Sequence, residues 1–291
     1  TALVTTEGFR DTLDIGYESR YDQYDIYLDK PKPLVPRRLR MTVPERLDAK
    51  GEVLVPLDEA AVKALAPRLD ESGVKSVAVG LIHSYTNPIH EERVRDLLHE
   101  VMPELYITTS ADVCPEIREY ERLSTACTNA YVQPVMARYL TSLRDELAAQ
   151  GFDCPMFMMT SGGGLMTLEK AIIMPIRLVE SGPAGGAILA SHIAAECELD
   201  KVVSFDMGGT TAKICLIENL YPQTVRSVEV DRSARFLKGS GLPLRIPVIE
   251  MIEIGAGGGS IARVDELRQI AVGPDSAGAD PGPACYGNGG E

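Results

Sequence analysis

The alternation of apolar and polar positions divides the chain into an α/β stretch followed by a β-rich one. Ala2-Leu3-Val4-Thr5-Thr6 predicts a strand, and Glu7 to Tyr17, with Phe9, Leu13 and Ile15, a short helix. Residues 18–37 are rich in Tyr, Asp and Pro and predict an extended arm. Leu39 to Leu47 alternates as a strand, which Pro44 confines to a sheet edge. Asp58 caps an amphipathic helix running to Ser72, with Val62, Leu65 and Leu69 on one face and Gly73 at its end. Ser76 to Ile82 predicts a strand, Asn87 to Val101 a helix and Leu105 to Thr109 a strand. This order is a βαβ unit, which requires a parallel sheet covered by helices.

Glu119 to Gln150 has helical spacing through Leu123, Ala126, Ala130, Met136, Leu140, Leu143 and Leu147, and Pro134 should kink or split it. Met156 to Met159 predicts a strand ending at Thr160-Ser161-Gly162-Gly163-Gly164. Leu165 to Ala171 follows as a short helix and Ile176 to Val179 as a strand. Glu180-Ser181-Gly182-Pro183 opens a helix whose small residues permit close packing. From Lys201 onward glycines and β-spacing dominate. Strands are expected over Thr224 to Val230 and Val248 to Ile254, either side of a basic segment, Arg232 to Arg245. Gly255 to Ser260 runs into another strand at Ile261 to Asp265, and Val272 to Gly287 holds too many Pro and Gly for helix or regular sheet.

Composition narrows the function classes. The 291 residues are 45% hydrophobic, enough for a sizeable core and about two domains, with a net charge of -13. That balance leaves no basic field for nucleic acid or an anionic membrane. No apolar run approaches a membrane span and no secretory segment opens the chain, so the expected location is the cytoplasm. The six cysteines contain no CxxC pair and read as free thiols, mostly buried; His90, His99 and His192 fall on predicted helices, and no HExxH spacing occurs. The chain begins inside a strand, at Thr1, and ends in a loop, which reads as an internal piece of a longer polypeptide.

The chemistry concentrates in Val202-Val203-Ser204-Phe205-Asp206-Met207-Gly208-Gly209-Thr210-Thr211-Ala212-Lys213, an apolar strand entering a glycine turn and leaving as a second strand. Adjacent glycines let backbone N–H groups approach an anion, the hydroxyls of Thr210 and Thr211 add donors, and Asp206 is placed to hold Mg²⁺ through water. This is the strand-turn-strand phosphate loop of actin, Hsp70 and sugar-kinase type ATPases; the other reading is a hairpin whose glycines only supply positive φ. Gly257, Gly258 and Gly259 form a second loop, to approach nucleotide or substrate closely or simply to turn. A dinucleotide fingerprint needs a long helix there, not a strand. No GxxxxGK[ST] and no GxSxG occurs. Ser161 and Ser181, at Gly-rich strand or loop ends, either touch substrate or cap turns. Asp275, Asp280 and Cys285 either bind substrate or metal, or form Asx turns and a packed thiol.

Taken together, several runs resemble the hydantoinase A/5-oxoprolinase family, whose relatives include acetone and acetophenone carboxylase subunits. They are Ala2 to Asp11, Pro115 to Arg122, Asn129 to Pro134, Ser161 to Met166, Ser181 to Ala184, Asp206 to Thr210, Gly255 to Ser260 and Gly278 to Tyr286. The resemblance implies an α/β fold of the actin/Hsp70-like (ASKHA) ATPase class with RNase H-like subdomains, incomplete at both ends. It implies that residues 1–123 are the C-terminal part of the family's N-terminal region, and 124–291 the N-terminal part of its hydantoinase A/oxoprolinase domain. It also implies ATP with Mg²⁺ or Mn²⁺, a B-type partner subunit within an oligomer, and ATP-dependent ring opening of a cyclic amide such as a hydantoin or 5-oxoproline. In these roles Asp206 is the catalytic and metal-holding carboxylate, and Gly208, Gly209, Thr210, Thr211, Lys213 and Gly257 to Gly259 line the phosphate site. A ketone carboxylase subunit and an Hsp70-like nucleotide-gated binding module are the alternatives. Lys213 stands where many relatives have a carboxylate, and either contacts phosphate or points to solvent.

Overall fold

The computed structural model describes residues 1–17, 20–28, 30–234 and 237–290. Residues 18, 19 and 29 of the expected arm and 235 and 236 of the basic segment lie outside them. The chain is mixed α/β and forms two compact units, each assembled from separate segments.

The first unit comprises residues 1–158, 165–179 and 226–247. Its centre is a four-stranded parallel sheet of β1 (Ala2–Thr6), β2 (Arg40–Val43), β3 (Ser76–Gly80) and β4 (Tyr106–Thr109), in the order β2-β1-β3-β4. The strand before Pro44 is therefore at an edge, and the expected βαβ unit is present as β3, helix α1 (Ile89–Val101) and β4. Val4, Val77 and Val79 pack on one face with Val94, Leu97 and Leu98 of α1. Leu3 and Ala78 pack on the other with Leu123, Ala126, Cys127 and Ala130 of α2 (Glu119–Ala149).

Pro134 lies inside α2 without splitting it. One proline costs about 3 kcal/mol in a helix interior, and the burial of Leu123 to Ala130 before it and Leu140 after it outweighs that. Elsewhere proline does divide an element. The helix expected over 58–72 is two, Glu59–Lys63 and Ala66–Glu71, because Pro67 has no N–H to continue the ladder; Asp58 still caps the first, accepting from Ala61 N–H at 2.9 Å. The strand expected over 176–179 is a 3₁₀ turn, Pro175–Leu178. The Asn129 side chain pins it, accepting from Ile176 N–H at 3.2 Å and donating to Ile173 O at 3.0 Å. Leu165–Thr167 is a strand and the helix starts only at Leu168.

The Pro115 to Arg122 run ends in a buried hydrogen-bond network in this unit. Arg122 is wholly buried, donating to Ser110 Oγ at 3.1 Å and Leu81 O at 2.7 Å. Glu91, also wholly buried, accepts from Leu81 N–H, Ser110 Oγ and Ala111 N–H; burial pushes its carboxyl above the usual range against the pull of those donors.

The second unit comprises residues 159–164, 180–225 and 248–291. Helix α3 (Ser181–Glu196) packs Ala184 and Ala187 against Cys215 and Ile217 of a sheet made by β5 (Lys201–Met207), β6 (Ala212–Glu218) and β7 (Ile252–Ile254). The small residues of α3 thus serve close helix-on-sheet packing, as their spacing predicts. A hairpin of β8 (Ser260–Val264) and β9 (Ile270–Ser276) follows. β9 overturns the expectation of irregular chain from Val272. Its only strand partner among the described residues is β8, and a register shift there accommodates Pro274. The strand expected over 224–230 is also two, Thr224–Val225 and Val228–Val230, one in each unit. No helix among the described residues is long and apolar enough to cross a membrane.

Candidate functional site

The site is built in the second unit on the β5–β6 hairpin. Seven residue pairs, from Met207 opposite Ala212 to Lys201 opposite Glu218, leave residues 208–211 as the connecting loop, closed by Gly208 N–H to Thr211 O at 3.0 Å. Neither Gly208 nor Gly209 has positive φ, so the loop is not a two-residue turn that needs glycine for its dihedrals. A methyl on Gly208 or Gly209 would meet only ordinary contacts, at 3.8 and 3.7 Å, yet another backbone lies against this loop and the tight fit falls on that side.

That backbone is the second glycine loop. Gly258 N–H donates to Gly208 O at 3.0 Å and Gly259 N–H to Gly209 O at 2.7 Å. A methyl group on Gly257 would fall 2.6 Å from Gly208 O and 2.8 Å from Thr210 N. A third layer closes on the second: Ala277 N–H donates to Gly259 O at 2.8 Å, and a methyl on Gly273 would fall 2.5 Å from Gly255 O. The stack occupies the carbonyls of Gly208 and Gly209. Among the described residues the N–H groups of Gly209 and Thr210 have no protein acceptor, and both residues are exposed. The amides of Gly209 and Thr210 are thus left as uncommitted donors on a loop fixed from behind.

Asp206 and Lys213 face each other across the hairpin, and Glu253 of β7 faces Lys213 from the other side. Cross-strand partners share a sheet face. Lys213 Nζ is ion-paired to Glu180, the residue before α3, and lies 3.8 Å from Glu253 Oε1, with only 15% of its side chain exposed. It therefore neither points to solvent nor stands free for phosphate. Glu180 reaches it from a left-handed backbone, φ 59°, an uncommon conformation for a non-glycine residue. Two carboxylates, Glu180 and Glu253, thus flank the Lys213 ammonium, and Asp206 adds a third formal negative charge on the neighbouring strand. Asp206 is exposed and has no ion-pair partner among the described residues. Those residues form no cluster of three acidic, His or Cys side chains able to hold a metal. Asp206 thus fits Mg²⁺ in the manner that cation favours, through one carboxylate with waters and phosphate oxygens completing the shell.

The other expected residues are distributed differently. Ser161 is buried, its carbonyl accepting from Ile249 N–H at 2.8 Å, and the turn after it packs Gly163 against Ile188 of α3. Ser181 is the first residue of α3, half-buried, directly after the Glu180 that pairs with Lys213. Asp280 and Cys285 are both exposed, and Cys285 sits in a short 3₁₀ turn, Ala284–Tyr286. The loop instead brings Tyr286 to Gly209. Glu180, Glu253 and Tyr286 are the residues that motif reading misses. Glu253 carries a detectable signal, the polar position in Ile252-Glu253-Ile254; Glu180 and Tyr286 flank the chosen Ser181 and Cys285.

Comparison with known proteins is consistent along the chain. The Hydantoinase/oxoprolinase family model matches residues 122–291, and the Hydantoinase/oxoprolinase N-terminal region model matches residues 1–102. An uncharacterized protein of Methanocaldococcus jannaschii is 43% identical over 99% of this chain and 43% of its own. The caprolactamase alpha subunit of Pseudomonas jessenii is 35% identical over 99% of this chain and 40% of its own. The nucleotide-free structure of acetone carboxylase, described as acting by ATP-dependent acetone carboxylation, superposes with a TM-score of 0.77 at 27% identity, over 100% of this chain and 41% of that one. Further relatives are 5-oxoprolinases and acetophenone and acetone carboxylase subunits. The chain spans from 23% to 43% of the length of these relatives.

Proposed function

The chain belongs to the hydantoinase/oxoprolinase family, and on that premise we propose that it is the phosphate-gripping part of an ATP-dependent enzyme that opens a cyclic amide by hydrolysis. The observation that carries this reading is the pair of free amides on Gly209 and Thr210, held in place by the hydrogen bonds from Gly258 and Gly259. We read the fold as the actin/Hsp70-like ATPase class with RNase H-like subdomains, on the strength of the β5–β6 strand-turn-strand loop.

ATP, when bound, would supply its terminal phosphoryl group to the amide oxygen, leaving ADP; this weakens amide resonance, so that water opens the ring at its C–N bond and the phosphoryl group departs as inorganic phosphate. The free N–H groups of the loop receive the charge of the transferring group, which is where most catalysis of phosphoryl transfer lies. Asp206 would hold a divalent cation, which would supply charge neutralisation. Lys213, clamped by Glu180 and Glu253, moderates the negative field around Asp206 so that an anion and a cation are both accepted. The family's relatives include alpha, beta and gamma subunits, which supports a partner subunit that completes the reaction.

A second reading, the ATP-using subunit of a ketone carboxylase, is favoured by the likeness to acetone carboxylase. The two separate in one experiment: ADP release by the complete polypeptide, with its partner subunit and Mg²⁺, across 5-oxoproline, hydantoins, lactams, and ketones with bicarbonate. Stimulation by a ring substrate, lowered at least about 100-fold by Asp206→Ala, is the expected result. Stimulation only by a ketone with bicarbonate moves the assignment to the carboxylase. An Asp206→Ala enzyme that turns over normally removes Asp206 from the site.

A further inference from the structure

We propose that the Tyr286 hydroxyl donates a hydrogen bond to the phosphoryl group received on the Gly208–Thr211 loop, which makes Tyr286 a further catalytic residue; this rests on the phosphate-loop reading above. The geometry comes from two glycines. A methyl group on Gly282, where φ is 73°, would fall 2.5 Å from Tyr286 Cδ2 and 3.0 Å from Cε2, so the ring lies against a position that no larger residue can occupy. At the far end of the ring, a methyl on Gly209 would lie 3.7 Å from the Tyr286 hydroxyl oxygen. The hydroxyl therefore stands on the side of Gly209 to which an L side chain would project, next to the residue pair whose amides are free.

The turn that carries the tyrosine is itself ordered. Tyr286 N–H donates to Pro283 O at 2.9 Å and Gly287 N–H to Ala284 O at 3.1 Å. The hydroxyl has no hydrogen-bond partner among the described residues, and the residue is 49% exposed, so the phenol is uncommitted. A tyrosine held only for packing would not need its polar end at a phosphate loop. A phenol O–H is a neutral donor and strengthens an anion site without adding charge to one already crowded by Asp206, Lys213, Glu180 and Glu253. No bond to Tyr286 forms or breaks: the phosphoryl group passes from ATP to the substrate oxygen while the hydroxyl keeps its proton.

The test uses Tyr286→Phe and Gly282→Ala in the complete polypeptide with its partner subunit. Two quantities are read: steady-state ATP turnover, and affinity for ADP with and without aluminium fluoride, a mimic of the transferring group. Tyr286→Phe is expected to lower kcat about 100-fold, the usual loss for one such donor, with the KM for ATP within about threefold. It should weaken ADP–aluminium fluoride binding by a similar factor and leave ADP binding unchanged. Gly282→Ala, which displaces the ring but keeps the hydroxyl, should show the same split. Turnover and aluminium fluoride affinity within threefold of wild type in Tyr286→Phe overturn the proposal. So does a parallel loss of ADP affinity and thermal stability, which marks a packing role. If the wild-type protein binds neither ATP nor ADP, the phosphate-loop reading falls and this proposal with it. Intact nucleotide binding with a silent Tyr286→Phe removes only the tyrosine.

Discussion

Gly257→Ala isolates the feature on which the site depends, the contact between two glycine loops. The added methyl would sit 2.6 Å from Gly208 O, 2.8 Å from Gly209 C and 2.8 Å from Thr210 N, all backbone atoms that cannot rotate away. Restoring ordinary contact requires the loops to separate by roughly 0.8 Å. Overpacking of this kind costs about 1–3 kcal/mol. The hydrogen bonds from Gly258 and Gly259, at 3.0 and 2.7 Å, are stretched at the same time, and each is worth about 1 kcal/mol. The loop also moves relative to its ligand, and a displacement near 1 Å is enough to cost about 100-fold in rate. Gly258→Ala is the control, because its methyl would meet only Gly208 O, at 3.8 Å. The assay pairs thermal unfolding with ATP affinity and substrate-dependent ADP release. Gly257→Ala is expected to lose stability and most turnover, and Gly258→Ala to keep both. A Gly257→Ala protein with wild-type affinity and turnover refutes the argument that the second loop sets the position of the first, as does a Gly258→Ala protein equally damaged.

Two further predictions concern groups away from the site. Burial raises the Glu91 carboxyl, so the folded state holds that proton more tightly than the unfolded chain does. By linkage its contribution to stability is complete below the unfolded value and declines as pH rises through the folded one. Glu91→Gln turns a donor toward Ala111 N–H and should cost about 1–3 kcal/mol while flattening that slope; urea unfolding between pH 4 and 8 measures both, and an unchanged slope contradicts the assignment. Burial also pushes the Cys127 thiol up to about 12 and Cys114 up to about 11. A chromogenic disulfide reagent at pH 8 should therefore modify exposed Cys154, Cys197 and Cys285 in the native protein, and reach Cys114, Cys127 and Cys215 only after unfolding; rapid native modification of Cys127 would contradict its burial.

Much of the architecture was legible from spacing. The βαβ unit of β3, α1 and β4, the β5–β6 glycine hairpin and the small-residue helix α3 each follow from a local pattern: period two, period 3.6, or paired glycines at a strand end. The errors fall where a local signal met a tertiary one. Ile176 to Val179 has the composition of a strand, but Asn129, distant in sequence, holds it as a 3₁₀ turn. Pro134 carries a breaker signal that the burial of α2 overrides, whereas Pro67, which the pattern reading passes over, divides the helix expected over 58–72.

The candidate site divides the same way. Sequence by itself determined the strand-turn-strand glycine hairpin, the presence of Asp206 at its entrance and the family, because these lie in contiguous runs of residues whose conformational demands are local. Only the tertiary structure decided that Gly255–Gly259 braces the loop from behind, that Lys213 is clamped by Glu180 and Glu253, and that Tyr286 reaches Gly209 where Cys285 and Asp280 do not. The physical reason is that a close backbone approach or an ion pair depends on the distance between segments far apart in the chain. Nothing in the composition of either segment encodes that distance until the sheet and helix have packed.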